Sequence, residues 1–241
     1  MSEFVYGKHA VISLITAGRR KAIRLHLPKG AEKEEAVLID LAQKKKIPTT
    51  FGGPVVRAGE GGIAVETEPY PYVGFETLLG ESLLLILDEI QDPQNLGALC
   101  RSAHLFGVGG VVIPENRAAS VGPGACQASV GAVEYLKIAR MSSIANCLEI
   151  LKKYNFWTYG ADASAQKTVS EEEFPAKVAV VIGNEEKGLR RLVRERCDIL
   201  LKIPMKAGGG GEKKGSVDSL NASVSGAVFL YEIQRQRMAK K

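Results

Sequence analysis

From residue 83 onward, short apolar runs alternate with amphipathic stretches. LLLIL, GVVIP, YLKIA, FWTYGA, VAVVIG and ILLKIP are each five or six residues long and largely apolar, as in strands covered on both faces. Helical spacing fits about Leu96–Phe106, residues around 124–132, SIANCLEILKKY, GLRRLVRERC and a long stretch from about Leu220. Strands alternating with helices predict a mostly parallel sheet with helices on both faces. The first 70 residues read as a smaller α/β unit. It begins with a helix from about Tyr6 to Arg20 and a strand IRLHL. A helix from about Lys33 to Lys45 follows, its stripe being Ala36, Val37, Ile39, Leu41 and Ala42. Extended pieces around PTTF, PVVRA and GIAVET close the unit. EPYPYVGFET, rich in proline and aromatics, reads as a connection. The expected division is 1–70, a linker at 71–80, and 81–241. No internal repeat is visible.

Composition adds little to this picture but excludes some functions. At 241 residues, with 45% hydrophobic and 24% charged residues, the chain suits one large or two small globular domains. LLLILDEI is far too short to span a bilayer. The N-terminus, MSEFVYGKHAV, lacks a basic segment followed by an apolar core, so the expected location is the cytoplasm, with no membrane partner. A net charge of +5 fits a nucleic-acid partner without requiring one. Cys100, Cys126, Cys147 and Cys197 show no CxxC spacing and read as reduced, buried small hydrophobes in helices. His9, His26 and His104 are scattered, so no metal site is expected.

Familiar phosphate motifs fail on context. AGGGGEKKGS has no lysine before its serine in the P-loop frame, and no helix follows its glycines directly. GVGG at 107–110 precedes a strand, whereas a dinucleotide fingerprint must leave one. Three other segments place small or polar residues where an apolar strand gives way to a loop or helix, as ligand sites in open α/β sheets do. In DPQNLGALCR, Pro93 suits a first helical turn, and Asn95 reads either as a cap or as a substrate contact. Arg101 leans over Gly97 and Ala98, a nearly bare floor that admits a phosphate or another stretch of chain. In IGNEEKGL, Gly183 ends a strand without a Cβ to obstruct a ligand, and Glu185 is a loop carboxylate able to pair with an arginine. In the last segment, IPM is followed by a Gly-rich insert and SLNASV. Ser219 and Asn221 there read either as helix caps or as substrate contacts.

Together these segments resemble the three motifs of the SpoU, or TrmH-like, branch of the SPOUT RNA methyltransferases. The matches are Asn95, Gly97 and Arg101; Gly183, Glu185, Gly188 and Leu189; and Ile203–Met205 with Ser219–Ser223. The resemblance covers residues 80–241. VYGKHAV and GGIAVETEPYPY in the N-terminal part resemble the substrate-binding domain of the branch's bacterial 23S rRNA guanosine 2′-O-methyltransferases, which has an L30e-like fold.

The resemblance implies a trefoil-knotted, parallel-sheet α/β domain binding S-adenosylmethionine, preceded by an L30e-like α/β domain, in a homodimer. It implies that Gly183, Ile203, Met205 and Leu220 hold the cofactor. It also implies that Arg101, Asn95, Glu185, Ser219 and Asn221 carry methyl transfer to a ribose 2′-hydroxyl. The expected substrate is a guanosine in 23S rRNA. A tRNA substrate, or a non-catalytic RNA-binding protein on the same fold, are the alternatives. Within the family the arginine is assigned as general base. A guanidinium so reluctant to lose its proton serves equally well as a phosphate anchor, oriented by Glu185. Two departures stand out: Glu186 replaces the usual glycine, and KAGGGGEKKGSVD lengthens the loop before Ser219.

Overall fold

A computed structural model describes residues 2–52, 62–205 and 219–240. The expected extended piece PVVRA and the Gly-rich insert KAGGGGEKKGSVD lie outside them. The chain forms two compact units, one of Met1–Pro71, Pro93–His104 and Ser120–Leu136, the other of Tyr72–Asp92, Leu105–Ala119 and Lys137–Lys241.

In the first unit the order is β1 (Glu3–Tyr6), α1 (Lys8–Ala17), β2 (Ala22–Leu27), α2 (Ala36–Lys44), β3 (Thr49–Phe51) and β4 (Ala64–Thr67). The strands make one sheet in the order β1-β4-β2-β3, parallel only between β2 and β3. Tyr6, expected in a helix, instead ends a strand. It pairs with Ala64, so pairing with β4 overrides the local helical pattern. Val11, Leu14, Leu25, Leu27 and Leu38 are fully buried.

The same unit contains α3 (Pro93–Leu105) up to His104, and α4 (Pro123–Ala128). The helix expected around 124–132 stops early, because Val130 adopts φ +54°. A 3-10 turn at Ala132–Tyr135 follows, where the sequence pattern had begun a strand. That turn is anchored from outside. The Tyr70 hydroxyl donates to the carbonyls of Val133 and Leu136, and Arg20 pairs with Glu134. Arg20 and Glu134 are only 4% and 1% exposed, so removing either alone would strand a buried charge.

The second unit holds β5 (Leu83–Asp88), β6 (Gly110–Pro114), β7 (Ile138–Met141), β8 (Trp157–Ala161), β9 (Val178–Gly183) and β10 (Ile199–Leu201). They form a six-stranded, wholly parallel sheet in the order β10-β8-β9-β5-β6-β7. All residues of β5 and β9 are buried, which explains why both read as unbroken apolar runs. Among the described residues three helices complete it: α5 (Ile144–Lys153), α6 (Arg191–Arg196) and α7 (Ala222–Ala239). Ser143 caps α5 by accepting from the Asn146 amide. Residues 72–80 belong to this unit, where a 3-10 turn at Phe75–Leu78 buries Phe75 and Leu78 in its core.

Candidate active site

The carboxyl ends of three neighbouring strands, β10, β8 and β9, open onto one cavity within the second unit. Its wall takes Ala161 and Asp162 from the end of β8, Gly183 and Glu185 from the end of β9, and Leu201 and Ile203 from the end of β10. Met205, Ser219, Leu220 and the first turns of α7, through Ala222, Ser225 and Phe229, complete it. The four residues expected to hold a cofactor, Gly183, Ile203, Met205 and Leu220, therefore line a single cavity. Met205 and Leu220 are 47% and 38% exposed, leaving apolar surface at the cavity for a ligand to cover.

Gly183 reaches this position for a reason the sequence did not suggest. A Cβ on it would come within 2.3 Å of the Gly188 carbonyl carbon and 2.5 Å of the Leu189 nitrogen. Its bareness admits the returning loop of its own strand. That loop is closed by paired backbone bonds between Asn184 and Gly188. The Asn184 side-chain oxygen accepts from the Glu186 and Lys187 amides. Glu186 is exposed and has no positive φ, so the backbone there requires no glycine.

Of the residues expected to be catalytic, Glu185 and Ser219 line the cavity. Asn221 is the N-cap of α7, its side chain accepting from the Ser223 amide at 2.8 Å. Asn95 and Arg101 belong to the first unit. Both are helical, because α3 begins at Pro93, so Asn95 is not its cap. Arg101 is exposed. The bare floor expected beneath it is a correction in part. Gly97 is buried, and a Cβ there would lie 2.5 Å from the Ala128 Cβ and 2.7 Å from the Ala125 carbonyl oxygen. The space admits α4, another stretch of chain, rather than a phosphate.

Two polar groups beside the cavity escaped the sequence reading. The Asp162 carboxyl is held below its ordinary value; burial pushes it up, but hydrogen bonds from Ser164 and Arg194 outweigh this. Arg190 follows the β9 loop, and its guanidinium is raised above its usual value. Burial works against this, and is outweighed by hydrogen bonding to Asp88 and the charges of Asp88 and Glu89. Neither has a motif; an acidic residue closing an apolar strand was the available signal. Burial pushes the thiols of Cys100, Cys126 and Cys147 up to about 12, and all four cysteines are free. Cys197 lies just after α6 and is only partly buried. Among the described residues no helix is long and apolar enough to cross a membrane, and no group of three or more His, Cys, Asp or Glu is placed to hold a metal.

Comparison with known proteins agrees with this architecture. A family model described as the SpoU rRNA Methylase family matches residues 82–231. YacO of Bacillus subtilis, placed by its name in the TrmH family of tRNA/rRNA methyltransferases, is 35% identical, the match covering 98% of this chain and 96% of YacO. The 23S rRNA (guanosine-2′-O-)-methyltransferase RlmB of Photorhabdus laumondii is also 35% identical, over 98% of this chain and 99% of its own. Solved structures of the SpoU methyltransferase AviRb from Streptomyces viridochromogenes share the fold. One has a TM-score of 0.83 at 24% identity, over 100% of this chain and 91% of that one. The other, in complex with the cofactor AdoMet, has a TM-score of 0.81 at 22% identity, over 99% and 91%.

Proposed function

Since this chain belongs to the SpoU rRNA methylase family, we propose that it transfers a methyl group from S-adenosylmethionine to the ribose 2′-hydroxyl of a guanosine in 23S rRNA. The observation that carries the reading is the convergence of Gly183, Glu185, Ile203, Met205, Ser219 and Leu220 on one cavity at the strand ends. Its wall mixes apolar side chains with a few polar groups, as small-molecule sites do. The residues present therefore fit this cofactor. The names of the RlmB relatives support the choice of 23S rRNA and guanosine.

S-adenosylmethionine, when bound, supplies an already activated methyl electrophile. The chain's task is then to align the ribose oxygen and manage its proton. Gly183, Ile203, Met205 and Leu220 hold the cofactor. Glu185 offers a carboxylate, and Ser219 and Asn221 offer hydroxyl and amide groups that position the ribose. Asn95 contributes to the same positioning. Arg101 binds an RNA phosphate and stabilises the developing alkoxide, since a guanidinium is all donors with no acceptor atom to take a proton. Alignment of this kind supplies several kcal/mol of a barrier, up to about 7–11 in the best cases.

The same reading takes residues 1–70 as an L30e-like RNA-binding domain, 71–80 as a connection packed into the second unit, and 81–241 as the methyltransferase domain, threaded as a trefoil knot and acting in the cytoplasm without a metal. A homodimer is supported by Val224, Tyr231 and Met238, which lie seven residues apart on α7 and are 47%, 55% and 67% exposed. Light scattering should report a dimer that Tyr231→Asp weakens; an unchanged mass would rule out this face.

Titration calorimetry with S-adenosylmethionine tests the central reading. The protein should bind the cofactor, and Leu220→Asp should weaken binding by at least about tenfold, the equivalent of roughly 1.4 kcal/mol. No binding by the wild type would remove the enzyme reading and favour an RNA-binding protein.

A further inference from the structure

The loop carrying Glu185 is held at both ends by two successive residues, Asp88 at the end of β5 and Glu89 just after it. At its start, the Asn184 side-chain amide donates to the backbone carbonyl of Glu89 at 3.1 Å. At its end, the Arg190 backbone amide donates to Asp88 Oδ2 at 2.9 Å, and Arg190 Nε donates to Asp88 Oδ1 at 2.7 Å. Another guanidinium nitrogen of Arg190 also pairs with Asp88 Oδ1. A third lies 3.3 Å from Glu89 Oε1. The Asp88 side chain is fully buried, so its carboxylate is committed to this task.

Glu89 adopts φ +60°, a conformation that non-glycine residues rarely take. The backbone leaves β5 there, where its carbonyl receives Asn184. Arg117 Nη1 also lies near this carboxylate, 3.8 Å from Glu89 Oε1, and is largely exposed. Asp88 faces Gly183 in the β5–β9 register, so the bracket sits beside the strand end that opens onto the cavity.

We propose that Asp88, Glu89, Asn184 and Arg190 form a clamp that fixes the 184–189 loop against the end of β5 and thereby sets the wall that receives the methyl donor. This rests on the methyl-transfer reading given above. The four are positioning residues: their bonds are to the loop and the strand end, and Glu185 and Gly183 are the groups they place. Proper placement matters because small displacements of a reacting geometry cost large factors in rate.

Amide hydrogen exchange on the protein alone, combined with donor titration and single-turnover methyl transfer, tests the clamp. Arg190→Ala is the informative variant, because the Arg190 side chain makes no hydrogen bond to residues 186–188, whose amides bond to Asn184. The clamp predicts exchange at 186–188 rising by about tenfold or more while β5 and β9 stay protected, the scale of one lost hydrogen bond. Donor affinity should fall by about tenfold and single-turnover rate by about a hundredfold. Arg190→Lys should recover part of each loss. Arg191→Ala, at an exposed arginine paired with Glu195, should match the wild type.

Should Arg190→Ala fail to fold by stranding the Asp88 charge, Asp88→Asn with Arg190→Gln removes both charges and is read the same way. Unchanged exchange at 186–188 overturns the clamp. Raised exchange with unchanged donor affinity and rate overturns its positioning role. A wild type that does not bind the donor overturns the methyl-transfer reading and the placement role with it, while exchange at 186–188 still decides whether the loop is held.

Discussion

Arg101 sits on the exposed face of α3. A guanidinium offers five N–H donors and no acceptor, which suits it poorly to the role of base. Holding a phosphate demands only charge and a planar fork. As an anchor acting on the transition state, Arg101 should be replaceable by alanine at little cost to cofactor affinity, while methyl transfer falls by about a hundredfold to a thousandfold. Parallel calorimetry and single-turnover assays check this; equal turnover in mutant and wild type would remove Arg101 from the mechanism. Its residue type and its place after an apolar strand were readable from the sequence. The use made of Gly97 was not, because α4, which fills the space, lies more than twenty residues further along the chain.

At the scale of elements, the packing of α3 on α4 gives a stability prediction. A side chain at Gly97 would collide with Ala128, with the Ala125 carbonyl and with the Ser129 nitrogen, two of these contacts being with backbone. Gly97→Val should therefore cost about 1–3 kcal/mol, measurable by chemical denaturation. A change within a few tenths of a kcal/mol would mean that α4 can withdraw. The strands β5, β6 and β9 were evident from sequence, since burial on both faces leaves an apolar run with little ambiguity. The ends of α4 and β7 were not. They depend on Val130 at a positive φ, which a β-branched residue seldom adopts, and on bonds from Tyr70 to Val133 and Leu136. Contacts across more than sixty residues leave no local periodicity.

At the scale of the molecule, strand order builds the cavity. β8, β9 and β10 leave the chain at residues 161, 183 and 201, yet stand side by side in the sheet with their carboxyl ends together. The last two motifs could be read as polar interruptions after apolar strands, and the resemblance they carry pointed to Gly183, Ile203, Met205 and Leu220, which line the cavity. Ala161 and Asp162, which complete the wall, lie at the end of a strand with no motif of its own, and the sheet order places them there. The Asp88–Arg190 pair is hidden for the same reason, its members being joined by the parallel pairing of β5 with β9.

The central claim is that this cavity serves methyl transfer to ribose. The most direct test incubates the protein with isotopically labelled S-adenosylmethionine and unmodified 23S rRNA or tRNA, then identifies the labelled nucleoside by mass spectrometry. The account predicts label in 2′-O-methylguanosine from 23S rRNA, and at least about a hundredfold less in the same time when Arg101→Ala replaces the wild type. Label on a base, label confined to tRNA, or no transfer by a protein that binds the donor would contradict it.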